Sequence, residues 1–349
     1  MVDPCDICGA AGRMSPLVEA GLPGVGPVWL HRCGGCGVRQ IRPRLSPAAL
    51  DVLYGADYFD STATHGFAGY ARQRQRYDRD AFFLARELRR LRPAGRFLEV
   101  GSALGFLLAA LMPITRWEVE GVEISKFGAW YARDRFDARV HRGTLEEAGL
   151  PAAAFDYVLQ KDLLEHVTHP RRHLEETRRI MRPGARLRVV TPNGEADVRP
   201  LQRAAARLAP GDVPVLDQGH LSFFSRAQLL RLFEDVGFRV LSVRSIGIRR
   251  GLRALGAVPG WRDGTRAMRR TDPTAGAGTA KTGGAGLAPE RREEQAARID
   301  AEIAACRRRI RAWRPYYYYR HLVKRLDAPR PGFRRARRKA LGVCAVETA

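Results

Sequence analysis

The 349-residue chain has no apolar run long enough to cross a membrane, and its first residues carry no basic-then-apolar leader. An integral membrane protein and an exported one are set aside, and a cytoplasmic location is expected. Lysine is scarce, with five residues among 60 basic ones. The formal net charge of +23 is therefore almost all arginine. Such an excess can follow from a GC-rich genome, so charge alone is not a sign of nucleic-acid binding. No RRM, KH or double-stranded-RNA-binding pattern is present either.

Cysteine is sparse, six in all, but four are grouped. Cys5-x-x-Cys8-Gly and Cys33-x-x-Cys36-Gly are two matching knuckles separated by 24 residues. Four thiolates on two such turns suit tetrahedral zinc, and a reducing compartment disfavours disulfides. The glycine after each pair suits a tight turn. The competing reading is four reduced or redox-active thiols. With all four positions filled, the zinc would be structural. Cys306 and Cys344 read as small apolar residues.

A short β-type run, Phe97 to Val100, contains Glu99 and precedes Gly101, Ser102 and Gly105. An apolar helical stretch follows, from Phe106 to Met112. Strand, glycine turn and helix form the first unit of a nucleotide-binding α/β sheet. A second apolar run, Trp117 to Val122, ends at Glu123, and Ser125 reads as the N-cap of the next helix. An acid at that point can take both ribose hydroxyls of an adenosyl group. The third glycine of a dinucleotide fingerprint is missing, because position 103 is alanine. A ligand without pyrophosphate does not need the full phosphate cradle. The spacing thus favours S-adenosylmethionine over NAD, the plain alternative being a βαβ turn with no ligand.

Further on stand Phe155-Asp-Tyr-Val, Leu164-Glu-His-Val, Arg182-Pro-Gly-Ala and Thr191-Pro-Asn. With Glu-Val-Gly-x-x-x-Gly and Val119-Glu-Gly-Val-Glu-Ile-Ser, these pieces, in this order over about residues 80–245, resemble the class I S-adenosylmethionine-dependent methyltransferases. The family usually has glycine where Ala103 stands. The resemblance implies an α/β fold with a Rossmann-like, seven-stranded sheet and helices on both faces. It implies Glu99 at the methionine amino end of the cofactor, with Gly101, Ser102 and Gly105 in the approach turn. Glu123 would hold the ribose, Thr144 and Leu145 would flank the adenine, and Gln160 would lie near the methionine.

If Asp162 to Val167 is helical, Asp162, Glu165 and His166 share one face. His166 would then be a general base near neutral pH. The segment also resembles the acidic-x-x-Glu-His pattern of ubiquinone-pathway O-methyltransferases and small-RNA 2′-O-methyltransferases, which use a divalent metal. That resemblance implies Mg2+ or Mn2+ at Asp162, Glu165, His166 and His220, with Asp162 standing where those groups have glutamate. A third reading gives His166 only a structural or orienting role.

The expected organisation is a zinc ribbon over 1–45, a helical lead-in over 46–95 and a methyltransferase core over 96–250. A flexible Gly/Ala/Thr-rich linker over 251–289 and a basic helical C-terminal extension over 290–349 follow. The lead-in reads as a helix from Tyr58 to Arg92, with Phe82, Phe83, Leu84, Leu88 and Leu91 as its apolar face. The strand Phe238 to Val243 closes the sheet. In the extension, Ala296, Ile299, Ile303, Cys306, Ile310 and Trp313 form a stripe suited to docking on the chain's own core. Tyr316 to Tyr319 and the run Arg334 to Lys339 suit an anionic membrane surface, a phosphorylated acceptor, nucleic acid or plain solvent.

A ribbon placed ahead of such a core resembles bacterial methyltransferases of glycan and secondary-metabolite pathways, which implies a small-molecule or glycan acceptor, methylated at oxygen. An RNA methyltransferase and a non-catalytic binding protein that keeps the fold are the alternatives.

Overall fold

The computed structural model describes residues 4–59, 69–216, 219–245, 267–269, 288–312 and 343–348. Two sheets organise them. The N-terminal one starts with β1 (Met14–Leu22), β2 (Gly26–Cys33) and β3 (Arg39–Arg42), all antiparallel. The next helix, α1 (Pro47–Leu53), begins at Ser46, whose side chain accepts from the Ala49 amide. A single 3-10 turn, Ala56–Phe59, and another, Tyr70–Gln73, precede α2 (Arg74–Leu91).

The lead-in helix is thus shorter than the sequence suggests, and it presents a different face. Tyr77, Ala81, Leu84, Ala85 and Leu88 are buried. Phe82 and Phe83 are 56% and 53% exposed. At 100° per residue three neighbouring apolar side chains cannot share one face. Alanines take the inner positions and let α2 lie close against the helix that follows the first core strand.

The core alternates β4 (Arg96–Val100), α3 (Phe106–Leu111), β5 (Glu118–Glu123), α4 (Lys126–Phe136), β6 (Arg139–Arg142), β7 (Phe155–Lys161), α5 (Pro170–Ile180) and β8 (Met181–Pro192). Ser125 caps α4 by accepting from the Gly128 amide, as its sequence position suggests. Strands β8, β7, β4, β5 and β6 lie side by side in that order, all parallel. Then come α6 (Gly194–Ala205), β9 (Asp212–Pro214), β10 (Ser222–Phe223), α7 (Arg226–Asp235) and β11 (Val240–Ser245). Ser225 and Gln228 form a reciprocal capping box at the start of α7.

Three features revise the expected organisation. First, the N-terminal sheet is not a separate unit. Its fourth strand is β10, which pairs antiparallel with β3, so residues from beyond the core sheet complete it. Cys5, Ile7, Cys33 and Val38 share one apolar cluster with Phe224, Leu229 and Leu187. Val198 and Leu201 of α6 pack into a second cluster with Ala20, Leu22 and Leu30.

Second, the segment expected as a linker holds β12 (Ala267–Arg269), which pairs with β9. Its Met268 is buried against Gly21. The rest of 251–289 lies largely outside the described residues.

Third, β11 lies at the edge of the core sheet but does not pair with β8. Strand β13 (Val343–Thr348) lies between β8 and β11, antiparallel to both. The expectation of an appended helical extension over 290–349 is corrected by that pairing. Helix α8 (Pro289–Ala312) is an excursion before the last strand. Its Ala296, Ile299 and Ile303 are buried in a cluster with Tyr70 and Tyr131. Tyr131 donates to Asp300 at 2.5 Å, and Arg135 pairs with Glu293 at 2.5 Å. Trp313, Tyr316 to Tyr319 and the arginines from Arg334 to Lys339 lie outside the described residues. No helix among the described residues is long and apolar enough to cross a membrane.

Candidate active site

Every residue assigned to the cofactor lies at or just beyond the carboxyl end of a parallel strand, the edge where ligands sit in such sheets. The turn after β4 folds back on β5: the Gly101 and Ser102 amides both donate to the Val122 carbonyl, at 2.8 and 3.0 Å. Gly101 and Gly105 have φ of +78° and +71°. A Cβ on Gly105 would stand 2.6 Å from the Ala132 Cβ, so only glycine lets α3 start this close to α4. Ala103 adopts the left-handed region at φ +51°, the conformation the usual glycine would take without strain.

Glu123 explains why that backbone holds. One of its carboxylate oxygens accepts from the Ala103 amide at 2.7 Å, the other from Ser125 at 2.8 Å. Burial still pushes its pKa up to about 6, opposed by those amides. Each oxygen keeps a further lone pair for a ligand hydroxyl.

Glu99 differs. It is buried, and its Oε2 has no hydrogen-bond partner among the described residues. Burial raises its pKa to about 8, with Lys161 acting in the opposite sense and Glu123 adding to the rise. A buried carboxyl with an orphan oxygen is costly unless a cationic or donating ligand completes it. The amino group of S-adenosylmethionine fits that need, and the ribose diol fits Glu123.

Aromatic rings from the lead-in cover this edge. Tyr54, Tyr58, Phe59, Tyr70 and Tyr77 form an unbroken chain of ring contacts, with centroids 5.0 to 5.9 Å apart. The Tyr58 hydroxyl has its pKa raised by burial and by the fields of Glu123, Glu165 and Asp162. Lys161 Nζ lies 4.4 Å from the Tyr77 ring centroid and 3.4 Å from Asp80 of α2.

Three assigned residues are engaged elsewhere. Gln160 donates through Nε2 to Thr177 of α5 at 2.8 Å, so its side chain is turned into the helix layer rather than towards the cofactor edge. Thr144 and Glu147 cap one another beyond β6, and Leu145 is buried.

Asp162 to Val167 is not a helix. Asp162 has φ +52° and is exposed, and only Leu164–His166 makes a 3-10 turn. The face expected to unite Asp162 with Glu165 and His166 therefore does not form. Instead Glu165, His166 and His220 bring one ligand atom each to within 4.8 Å of one another, without Asp162. Glu165 Oε2 accepts from Thr191 Oγ1 at 2.8 Å. The His166 and His220 rings meet edge to face at 4.9 Å. Burial pushes the His166 pKa down to about 4, partly offset by a hydrogen bond to the Gly219 backbone. The imidazole is therefore neutral at pH 7, the form a general base needs, although burial makes it a weaker base than a free histidine.

Tyr54 was not singled out from sequence as a site residue. Its hydroxyl lies 3.0 Å from His166 Nδ1, across 112 positions of chain. No local spacing signals such a pair.

At the other end, the four cysteine sulfurs also lie within 4.8 Å of one another. Cys5 and Cys36 sulfurs are 3.7 Å apart, Cys8 and Cys33 sulfurs 3.6 Å. Four sulfurs at about 2.3 Å from a tetrahedral zinc stand about 3.8 Å apart, so this grouping fits the ion. The Gly35 amide points at Cys33 Sγ, 3.3 Å away. Gly9 and Gly37, next after each pair, have φ of +70° and +75°.

Residues 70–243 match the family model of a methyltransferase domain. A relative from Mycolicibacterium smegmatis, named a probable S-adenosylmethionine-dependent methyltransferase, is 28% identical over 168 residues. The match covers 48% of this chain and 61% of that relative, so the chain spans about three fifths of its length. Among solved structures, a SAM-dependent methyltransferase from Thermotoga maritima is 26% identical, covering 51% of this chain and 80% of that one, with a TM-score of 0.38. The YcgJ protein of Bacillus subtilis is 14% identical, covering 77% and 97%, with a TM-score of 0.41.

Proposed function

With residues 70–243 a methyltransferase domain, we propose that the protein transfers the methyl group of S-adenosylmethionine to a hydroxyl of a small molecule or glycan. The observation that carries this reading is the buried pair Glu99 and Glu123 flanking a glycine turn, with one Glu99 oxygen left over. S-adenosylmethionine brings an already activated methyl, so the protein's work is orientation and disposal of one proton. Glu99 and Glu123 hold the two ends of the cofactor. The Tyr54–Tyr58–Phe59 wall shields the cleft from water.

His166, neutral and hydrogen-bonded to Tyr54, is the group placed to accept or relay the acceptor's proton. A specific observation supports a second version of that step: Glu165, His166 and His220 offer one oxygen and two nitrogens to a divalent ion. The four-cysteine group is read as one structural zinc. The basic C-terminal residues are read as a contact for an anionic surface, with nucleic acid the less favoured partner.

Incubating the full chain with tritium-methyl S-adenosylmethionine and fractionated cell extract tests the acceptor class. Label in the small-molecule or glycan fraction is expected, whereas ribonuclease-sensitive label would contradict it. His166→Ala should lower that transfer about 10²- to 10⁴-fold. Chelation followed by Mg2+ or Mn2+ restoration separates the metal version from the metal-free one.

A further inference from the structure

The peptide of Leu221 is shared between the two halves of the molecule. Its carbonyl accepts from the Ile41 amide of β3 at 2.8 Å, and its amide donates to the Glu165 carbonyl at 2.8 Å. One residue earlier is His220, whose ring lies against His166. One residue later is Ser222, whose hydroxyl accepts from Gln40 Nε2 at 3.1 Å. Gly219, at the start of this stretch, is bonded to the His166 ring.

The cysteine-bearing sheet is also fastened around this point. Arg171 of α5 donates to the Asp6 and Ile7 carbonyls, and Gln228 of α7 donates to the Cys36 carbonyl at 2.8 Å. Gln40 and Ser222 are both buried. A module that merely recruits a partner would need none of these bonds into the Glu165–His166 turn.

We propose that strand β3 positions the catalytic cleft, with Gln40 and Ile41 holding His220 and the Glu165–His166 turn in place through Leu221 and Ser222. A strand two residues long cannot stay extended by itself, because its backbone pairs are too few to offset the entropy of ordering it. Pairing with β3 supplies the missing order. The four-cysteine knuckles, at the far ends of β2 and the segment before β1, fix β3 in turn. The N-terminal sheet is on this view a wall of the acceptor site. Gln40 and Ile41 are positioning residues, acting through His220 and Glu165. The inference rests on the proposed role of the His166 cluster, and its test reads the cleft without needing the acceptor.

Amide exchange and imidazole nitrogen resonances would be compared in the full-length wild type, Gln40→Leu, Ser222→Ala and the double variant. S-adenosylmethionine affinity would be measured on the same samples. The Leu221 amide should exchange about tenfold faster in Gln40→Leu. The His166 and His220 ring resonances should move. The Gly101 amide, bonded to β5, and cofactor affinity should stay within about twofold. The double variant should resemble Gln40→Leu, because that change already removes the Gln40–Ser222 bond, along with the Gln40 bonds to Asp6 and Arg42.

An unchanged Leu221 amide and unchanged histidine rings would overturn the proposal. So would loosening that spreads equally to Gly101, since that marks general destabilisation. Should Gln40→Leu fail to fold, Ser222→Ala, which leaves β3 intact, decides by the same readouts. A wild type that binds no S-adenosylmethionine would defeat the proposed function, while the exchange pattern would still decide the role of β3.

Discussion

Glu99 carries a conflict: a buried carboxyl with one oxygen that has no hydrogen-bond partner among the described residues. Its carboxyl is pushed up to about 8 from the usual range, mainly by burial. A raised acid contributes stability that is full below its unfolded pKa and lost as pH rises from about 4.5 through about 8. The cofactor-free protein should therefore lose stability over that window. Glu99→Gln should be more heat-stable at pH 8 and should bind S-adenosylmethionine more weakly. Scanning calorimetry between pH 5 and pH 9 checks the first part. A variant as alkali-sensitive as wild type would count against the assignment. Stability of this kind sacrificed at one position is common where a ligand is to be held.

The turn that joins Glu99 to Gly105 and the carboxylate of Glu123 beside it were legible because their parts are close in sequence. Cap, glycine turn and strand-end acid each act within a few residues. The Tyr54–His166 pair was not, because it joins residues 112 apart. Asp162 misled because residue spacing alone assumed a helix that its left-handed backbone prevents.

At the scale of elements, the helix α2 shows how a correct element can be given a wrong face. Counting apolar residues favours Phe82 and Phe83, but close approach to α3 favours alanine inside. Leu84→Ala should cost about 2–4 kcal/mol in denaturant unfolding, from lost burial and the cavity left. Phe82→Ala should change stability by about 0.5 kcal/mol or less, as an exposed position does. Equal costs at the two positions would restore the sequence-derived face.

The cysteine knuckles were legible for the opposite reason: spacing alone specifies them. Metal analysis of protein purified without added zinc should give about one zinc per chain. A folded, metal-free protein with four titratable thiols would reject the ion.

Whole-molecule organisation was the least legible level. The neighbours β4–β5–β6 and β7–β8 follow from the βαβ pattern, whereas the β6 to β7 connection passes back over β5 and β4. The pairings of β3 with β10 and of β13 with β8 and β11 join distant segments, and β3, β10, β11 and β13, at two to six residues each, leave little periodic signal. Deleting residues 343–349 tests the second pairing. A dispensable tail would leave the melting temperature unchanged. Removing a strand between β8 and β11 strips β11 of its partner and opens one edge of β8, which stays paired with β7, so the variant should melt well below wild type or fail to fold.

The proposal to test first is that Glu99 and Glu123 hold S-adenosylmethionine. The most direct measurement is calorimetric titration of that compound into the full chain and into Glu123→Ala. The account predicts one site in the wild type. Loss of two hydroxyl contacts should weaken the variant by about 1–3 kcal/mol, roughly five- to 150-fold. Folded wild type that binds nothing, or a folded variant that binds equally well, would contradict it.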